Sequence, residues 1–380
     1  MRALPSKSYT ASGDPSLAGE LKWAGFDMVA LANNHTGDYG VLGMQLTMRY
    51  IGEAGLIGAG AGNSLAEARE AKFLETDKAR VALISLASTF RPHMAAGHSR
   101  DNIPARPGLN PLRFSTTYQL PRGEFDAMRR VGESLGLFVD QDGNPTGTDE
   151  NRPGEIRMFN QWFAPGDTAA IRTKANQADV DAIAAVVNNA SRLADYVIVT
   201  IHAHEQLGRR EIAAEFLQPF ARAMIDAGAD VLVGHGPHVL RGVELYKGKP
   251  ILYSLGDFMF QNETLLRLPT GNYDRYKLDE NKHVADFNDQ RYMNDTKGFP
   301  ANPEIWEAVI AMPVFRGDQL REMAFHPITL GHGLPRQVRG RPLFAEGELA
   351  DKILEDLRVR SAAYGAEIVN RRGIGYLQLD

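Results

Sequence analysis

Five of the ten histidines in this 380-residue chain fall into three short clusters. They are Asn33-Asn34-His35, His202-Ala203-His204-Glu205 and His235-Gly236-Pro237-His238. Each cluster closes an apolar run of buried-strand length. In open α/β sheets, ligands bind outside the carboxyl ends of the strands. Imidazole suits zinc, manganese or iron, and a carboxylate or carboxamide oxygen adds a harder ligand. Three strand ends delivering Asn, His and Glu to one edge therefore predict a divalent-metal site. A single histidine at a strand end is more often a surface residue. Three clusters at equivalent ends are harder to obtain by accident.

Within the clusters the roles divide by chemistry. In a continuing strand, His202 and His204 point to one face at period 2. Gly236 and Pro237 let both His235 and His238 turn inward. Asn34 offers a neutral amide oxygen to a metal, and His35 beside it can protonate a leaving group. Arg241, shortly after His238, can hold an anionic substrate group. Gly58-Ala59-Gly60-Ala61-Gly62 is not the G-x-G-x-x-G phosphate fingerprint, and no G-x-S-x-G elbow occurs.

These residues need a frame. Helices are expected at 16–24, 41–54, 177–194, 211–227 and 346–363. Strands are expected at 26–32, 81–87, 196–202, 230–234, 239–246, 251–255, 305–315 and 320–330. Strands alternating with helices predict βαβ units, and the later hairpins predict antiparallel additions. Residues 88–173, rich in Pro, Gly, Arg and Asn, show few periodic segments and read as a large insertion. Residues 261–303 read as a lid or second excursion. The sum is a mixed α/β (α+β) protein of one domain, 1–380, with insertions.

Composition excludes several classes. An apolar fraction of 43% and a charged fraction of 23% are those of a soluble globular chain. Lys plus Arg number 42 against 47 Asp plus Glu, for a net charge of −5, with no basic stripe. Nucleic acid is therefore not an expected partner. The absence of cysteine removes disulfides, thiolate metal sites and a cysteine nucleophile. No apolar run approaches the ~20 residues of a membrane-spanning helix. Met1-Arg2-Ala3-Leu4-Pro5-Ser6 carries no apolar leader core, so the chain as it stands reads as cytoplasmic.

Three longer stretches resemble a known family, the CapA (poly-γ-glutamate capsule biosynthesis, PgsA-like) proteins with a calcineurin-like metallophosphoesterase fold. The first is Gly25-Phe26-Asp27-Met28-Val29-Ala30-Leu31-Ala32-Asn33-Asn34-His35 with Asp38-Tyr39-Gly40. The second is Ile201-His202, followed by Ala227 to Gly234 and His235-Gly236-Pro237-His238. The third runs from Tyr246-Lys247-Gly248-Lys249-Pro250 to Ser254-Leu255-Gly256-Asp257-Phe258. The resemblance implies a β-sandwich flanked by helices, with a site for one or two divalent metals (Mn, Zn or Fe). It makes Asn34, His202, His235 and His238 the ligands, and His35 the acid or polarising group. The family's His-Trp-Gly reads His202-Ala203-His204 here, so His204, where the family has Gly, would add a ligand or a base or replace a loop contact. Asp257, where the family has Asn, would supply a carboxylate or a turn contact, and with Arg241 is expected on the substrate side.

The resemblance also implies a first strand ending in Gly-Asp and a later Asn-Leu-Glu. Neither precedes Pro15, so the N-terminal strand is expected to be missing, through truncation or loss of the first metal. A truncated chain would be exported or at the cell surface. The implied function is metal-dependent, phosphoesterase-like hydrolysis in the handling of an anionic polymer or peptide, with capsule-synthesis partners. Two alternatives remain: a metal-dependent peptide epimerase, and a non-catalytic assembly protein with an incomplete site.

Overall fold

The computed structural model describes residues 10–140, 142 and 144–379. The stretch before residue 10, where the missing strand is expected, lies outside them. A six-stranded sheet forms the frame, ordered Val243–Tyr246, Lys249–Leu252, Val231–His235, Tyr196–His202, Arg80–Ala87, Lys72–Glu75. Its four central strands are parallel, and the two outer strands pair antiparallel. Arg80–Ala87 and Tyr196–His202 are near-continuous Val, Ile, Leu and Ala, as strands covered on both faces must be.

Helices Gln177–Ala190 and Leu217–Asp226 cover one face, where Ile183, Val187, Phe220 and Met224 pack on Ile84, Val199 and Ile201. A second core joins the 243–252 edge to another sheet. There Val243 and Leu252 share a cluster with Met323, Phe325, Ile353 and Leu357. The second sheet is ordered Glu307–Arg316, Gln319–Thr329, Ile374–Leu377, Ile368–Arg371, and helix Gly347–Ala362 packs with it. The architecture is the expected α/β one.

Strand Met28–Ala30 pairs in parallel with Ile57–Ala59 beside this frame, and helix Gly40–Glu53 connects them. The glycine-rich loop that follows serves packing. Gly60 has φ +99°, and a Cβ there would lie 2.8 Å from the Ala32 Cβ and 2.7 Å from the Ser85 Oγ. Only glycine lets these strands approach so closely.

Two segments differ from the sequence reading. The 88–173 stretch contains its own four-stranded sheet, ordered Ala170–Ala175, Phe114–Pro121, Gln161–Gly166, Ile156–Met158, under helix Arg122–Ser134. Its longest strand is half-buried along its whole length, so no apolar alternation marks it. Residues 209–213 are a hairpin strand, and the helix expected from 211 begins only at Leu217. The 261–303 segment carries short helices Thr270–Arg275 and Val284–Tyr292. Among the described residues no helix is long and apolar enough to cross a membrane.

Candidate functional site

Parallel register builds the centre of the site. His202 ends its strand opposite His235 on one side and Ala87 on the other. In-register partners on neighbouring strands sit about 4.8 Å apart, so the two imidazoles must meet. The His202 Nδ1 lies 3.1 Å from the His235 Nδ1. On its other side the His202 Nε2 lies 3.0 Å from the His204 Nε2, and the Asn34 Nδ2 lies 3.4 Å beyond that nitrogen. Gly236 completes the fit, since a Cβ at its φ of +115° would stand 3.1 Å from the His202 ring.

The proton bookkeeping along this row can be followed. Tautomers are inferred from the network. With the Asn34 amide nitrogen as donor, the single lone pair of the His204 Nε2 is shared between the Asn34 N–H at 3.4 Å and a His202 Nε2–H at 3.0 Å. A neutral His202 then presents a bare Nδ1, which accepts from the His235 Nδ1–H. Neutral His235 is left with a bare Nε2. That atom is buried and is without a hydrogen-bond partner among the described residues. An orphaned imidazole lone pair at the end of a row of neutral rings is the donor chemistry that a borderline divalent cation needs.

Burial keeps the rings neutral. Desolvation, reinforced by His235 and His204, drives the His202 pKa far below the ordinary imidazole range. Desolvation, with His238 and Arg241 adding, lowers His204 to about 3. Desolvation lowers His235 to about 4. Among the described residues no group of three or more His, Asp or Glu side chains is placed to hold a metal ion. What suits a divalent cation here is the donor type and the orphaned His235 Nε2 alone.

Two further histidines flank the row, each held by a carboxylate. The His35 Nδ1 lies 2.7 Å from the Oδ2 of Asp38, whose side chain is buried. The His35 backbone N–H donates to the Asn33 Oδ1 at 2.8 Å, fixing the turn. The His238 Nδ1 lies 3.0 Å from the Asp257 Oδ2. His238 takes a left-handed φ of +61° to reach that position. Its ring packs against His204 and against Phe260 and Phe299. A carboxylate on Nδ1 fixes the tautomer and leaves Nε2 to act on a ligand or substrate.

All six histidine and asparagine candidates therefore gather at this strand edge: Asn34, His35, His202, His204, His235 and His238. The structure places the two substrate-side candidates beside the histidines as their supports. Asp257 orients His238. Arg241 is completely buried, and its guanidinium donates to the backbone carbonyls of Arg210, Ala203 and Glu205. It braces the histidine loop and has no surface for substrate.

Sequence reasoning missed Asp38 as a support and read Glu205 as a metal-side carboxylate. Asp38 stands three residues after His35, a spacing that could have marked the pair. Glu205 accepts from the Ser88 Oγ at 2.6 Å and the Thr89 Oγ1 at 2.7 Å. The Thr89 Oγ1 in turn accepts from the His204 N–H. Nothing local in the sequence links residues so far apart.

The family model described as bacterial capsule synthesis protein PGA_cap matches residues 2–262. A Sinorhizobium fredii protein, y4sH, is 36% identical over 376 residues, covering 96% of this chain and 79% of its own. The PGA biosynthesis protein CapA of Bacillus subtilis is 28% identical over 240 residues, 63% of this chain and 44% of that protein. A probable polyglutamine synthesis accessory protein of Mycobacterium tuberculosis is 29% identical over 228 residues, covering 60% of this chain and 43% of its own. The chain thus spans less than half the length of these last two relatives. By the family match, which spans more than half of it, the chain belongs to the bacterial capsule synthesis PGA_cap family.

Proposed function

We propose that the protein is a metal-dependent hydrolase acting on an anionic polymer or peptide in the making or processing of a poly-glutamate-like capsule. The observation that carries this reading is the row of neutral imidazoles ending in the orphaned His235 Nε2, flanked by two carboxylate-held histidines. His235 through its orphaned Nε2, and His238 with its Nδ1 held by Asp257, would offer nitrogens to a manganese, zinc or iron ion, with Asn34, His202 and His204 completing its surroundings. Such an ion, when bound, supplies a Lewis acid and an acidified water.

The chain's own residues do the rest. Asp38 holds His35 so that its Nε2 can give a proton to a leaving oxygen or nitrogen. Asp257 fixes His238, and the Phe260 and Phe299 rings keep water from its flank. Arg241 and Thr89 keep the His204 backbone in place. The relatives named for capsule and polyglutamine synthesis support the choice of polymer.

The test is metal content by mass spectrometry, paired with hydrolysis of a chromogenic phosphodiester and of a γ-glutamyl oligopeptide. Bound metal with manganese-stimulated cleavage of either substrate is expected. Solvent deuterium entering the peptide without cleavage would replace hydrolysis by epimerisation. A folded protein that takes up no metal would leave an assembly role.

A further inference from the structure

A second cavity of about 650 Å³ lies between the 114–175 sheet and the starts of helices Gln177–Ala190 and Leu217–Asp226. None of the histidine-site residues lines it. Strand register shows how its sheet wall is built. Arg172 pairs with Thr117, Thr117 with Trp162, and Trp162 with Arg157. In-register partners share a face, so this row crosses all four strands with a cation at each end; Arg172 and Thr117 line the cavity, and Trp162 and Arg157 continue the same face beyond it. Three strand spacings put those ends about 14 Å apart. Lys174 and Ser115 form the neighbouring pair on the same face.

The charge is locally reversed relative to the whole chain. Arg152, Arg172 and Lys174 line the cavity against two carboxylates, Glu155 and Glu215. Those carboxylates pair with Arg152 and Arg172. Lys174 and Arg157 have no ion-pair partner among the described residues. Opposite them the wall is apolar, with Val180, Pro219 and Ala223. Hydroxyl and amide groups of Ser115, Thr117 and Gln119 lie between.

We propose that this groove is an accessory binding site for an extended acidic peptide-like chain, one whose carboxylates sit on short aliphatic arms. The cations receive the carboxylates and the apolar wall receives the methylenes. A carbohydrate fits less well, because Trp162, the tryptophan on that sheet face, is already covered by arginine. The Arg152 guanidinium lies 4.5 Å, and that of Arg157 6.0 Å, from the Trp162 ring centre. Nucleic acid fits less well too, since the chain carries a net charge of −5 and offers no long basic track. The proposal shares the acidic polymer with the functional reading above, yet rests on different residues, so either can fail alone.

Binding of a short fluorescent oligoglutamate to the whole chain tests it by anisotropy at low and moderate salt. The Lys174→Glu/Arg157→Glu double variant should weaken binding about tenfold or more, because it sets like charges against the ligand. Lys174→Arg should bind as the parent does. Arg130→Glu, on the helix covering the opposite face of that sheet, should be silent, and circular dichroism checks that each variant folds. His235→Ala, at the site of the functional reading, reports on that site separately. Equal affinity of parent and double variant would overturn the proposal, as would no binding by the parent. Tighter binding of a neutral glucan or an RNA oligomer would overturn it as well. Loss only in the His235 variant would move polymer recognition to the histidine site, sinking the groove and sparing the functional reading.

Discussion

His35 and His238 each owe their orientation to one carboxylate, and those contacts can be cut without removing an imidazole. Asp38→Asn removes a buried charge that also accepts the Ala11 N–H at 2.7 Å. Loss of a carboxylate that orients a working histidine costs about 10–100-fold in activity or metal affinity. Asp38→Asn is therefore expected to lower kcat by that factor while metal content holds. Asp257→Ala is expected to lower metal affinity instead, because it frees His238. Metal titration of the two variants beside their kinetics separates these outcomes. Identical effects from both would mean that His35 and His238 do not divide the labour as described.

At the scale of elements, one buried carboxylate ties the inserted sheet to the main frame. Asp179, in the first turn of helix Gln177–Ala190, accepts from the Arg113 Nε and Nη2 at 2.7 Å each, and from the Arg69 Nη2 at 3.2 Å. Arg113 opens the inserted strand. Arg69 is almost wholly buried and cannot recover water. Asp179→Ala leaves that guanidinium uncompensated, at a cost of roughly 3–5 kcal/mol. Urea unfolding is expected to show an unfolding free energy lower by that amount. The close approach at Gly60 gives a second case. Gly60→Ala should destabilise by more than about 1 kcal/mol, since both its φ and its neighbours reject a Cβ.

For the molecule as a whole, the imidazole row sets a pH dependence. His204 and His235 stay neutral in the folded chain down to about 3 and about 4. Unfolded histidines take up protons near pH 6.5. Between those limits the unfolded chain binds more protons, so stability falls as the pH drops from about 6.5 toward about 4. The slope is up to about 1.4 kcal/mol per pH unit for each such histidine. Denaturant midpoints measured with a chelator at neutral and mildly acid pH check this. A His204→Gln/His235→Gln variant should show a flatter profile. An unchanged profile would mean that these rings are not buried neutral bases.

The sequence alone determined the strand ends that carry the chemistry. Apolar runs such as Val81–Ala87 and Tyr196–Ile201 leave few options but buried parallel strands, and the histidines stand where those runs stop. The family followed from the same stretches, because they combine apolar strands with fixed polar turns over many residues. Tertiary structure alone decided the rest. His202 and His235 are 33 residues apart, and only register puts their rings in contact. Arg241 reads as a surface cation until three distant carbonyls are seen to enclose it. The inserted sheet was hidden because strands wet on one face and shallowly covered on the other lack apolar periodicity. The cation row across that sheet exists only once four strands, separated in sequence, are aligned.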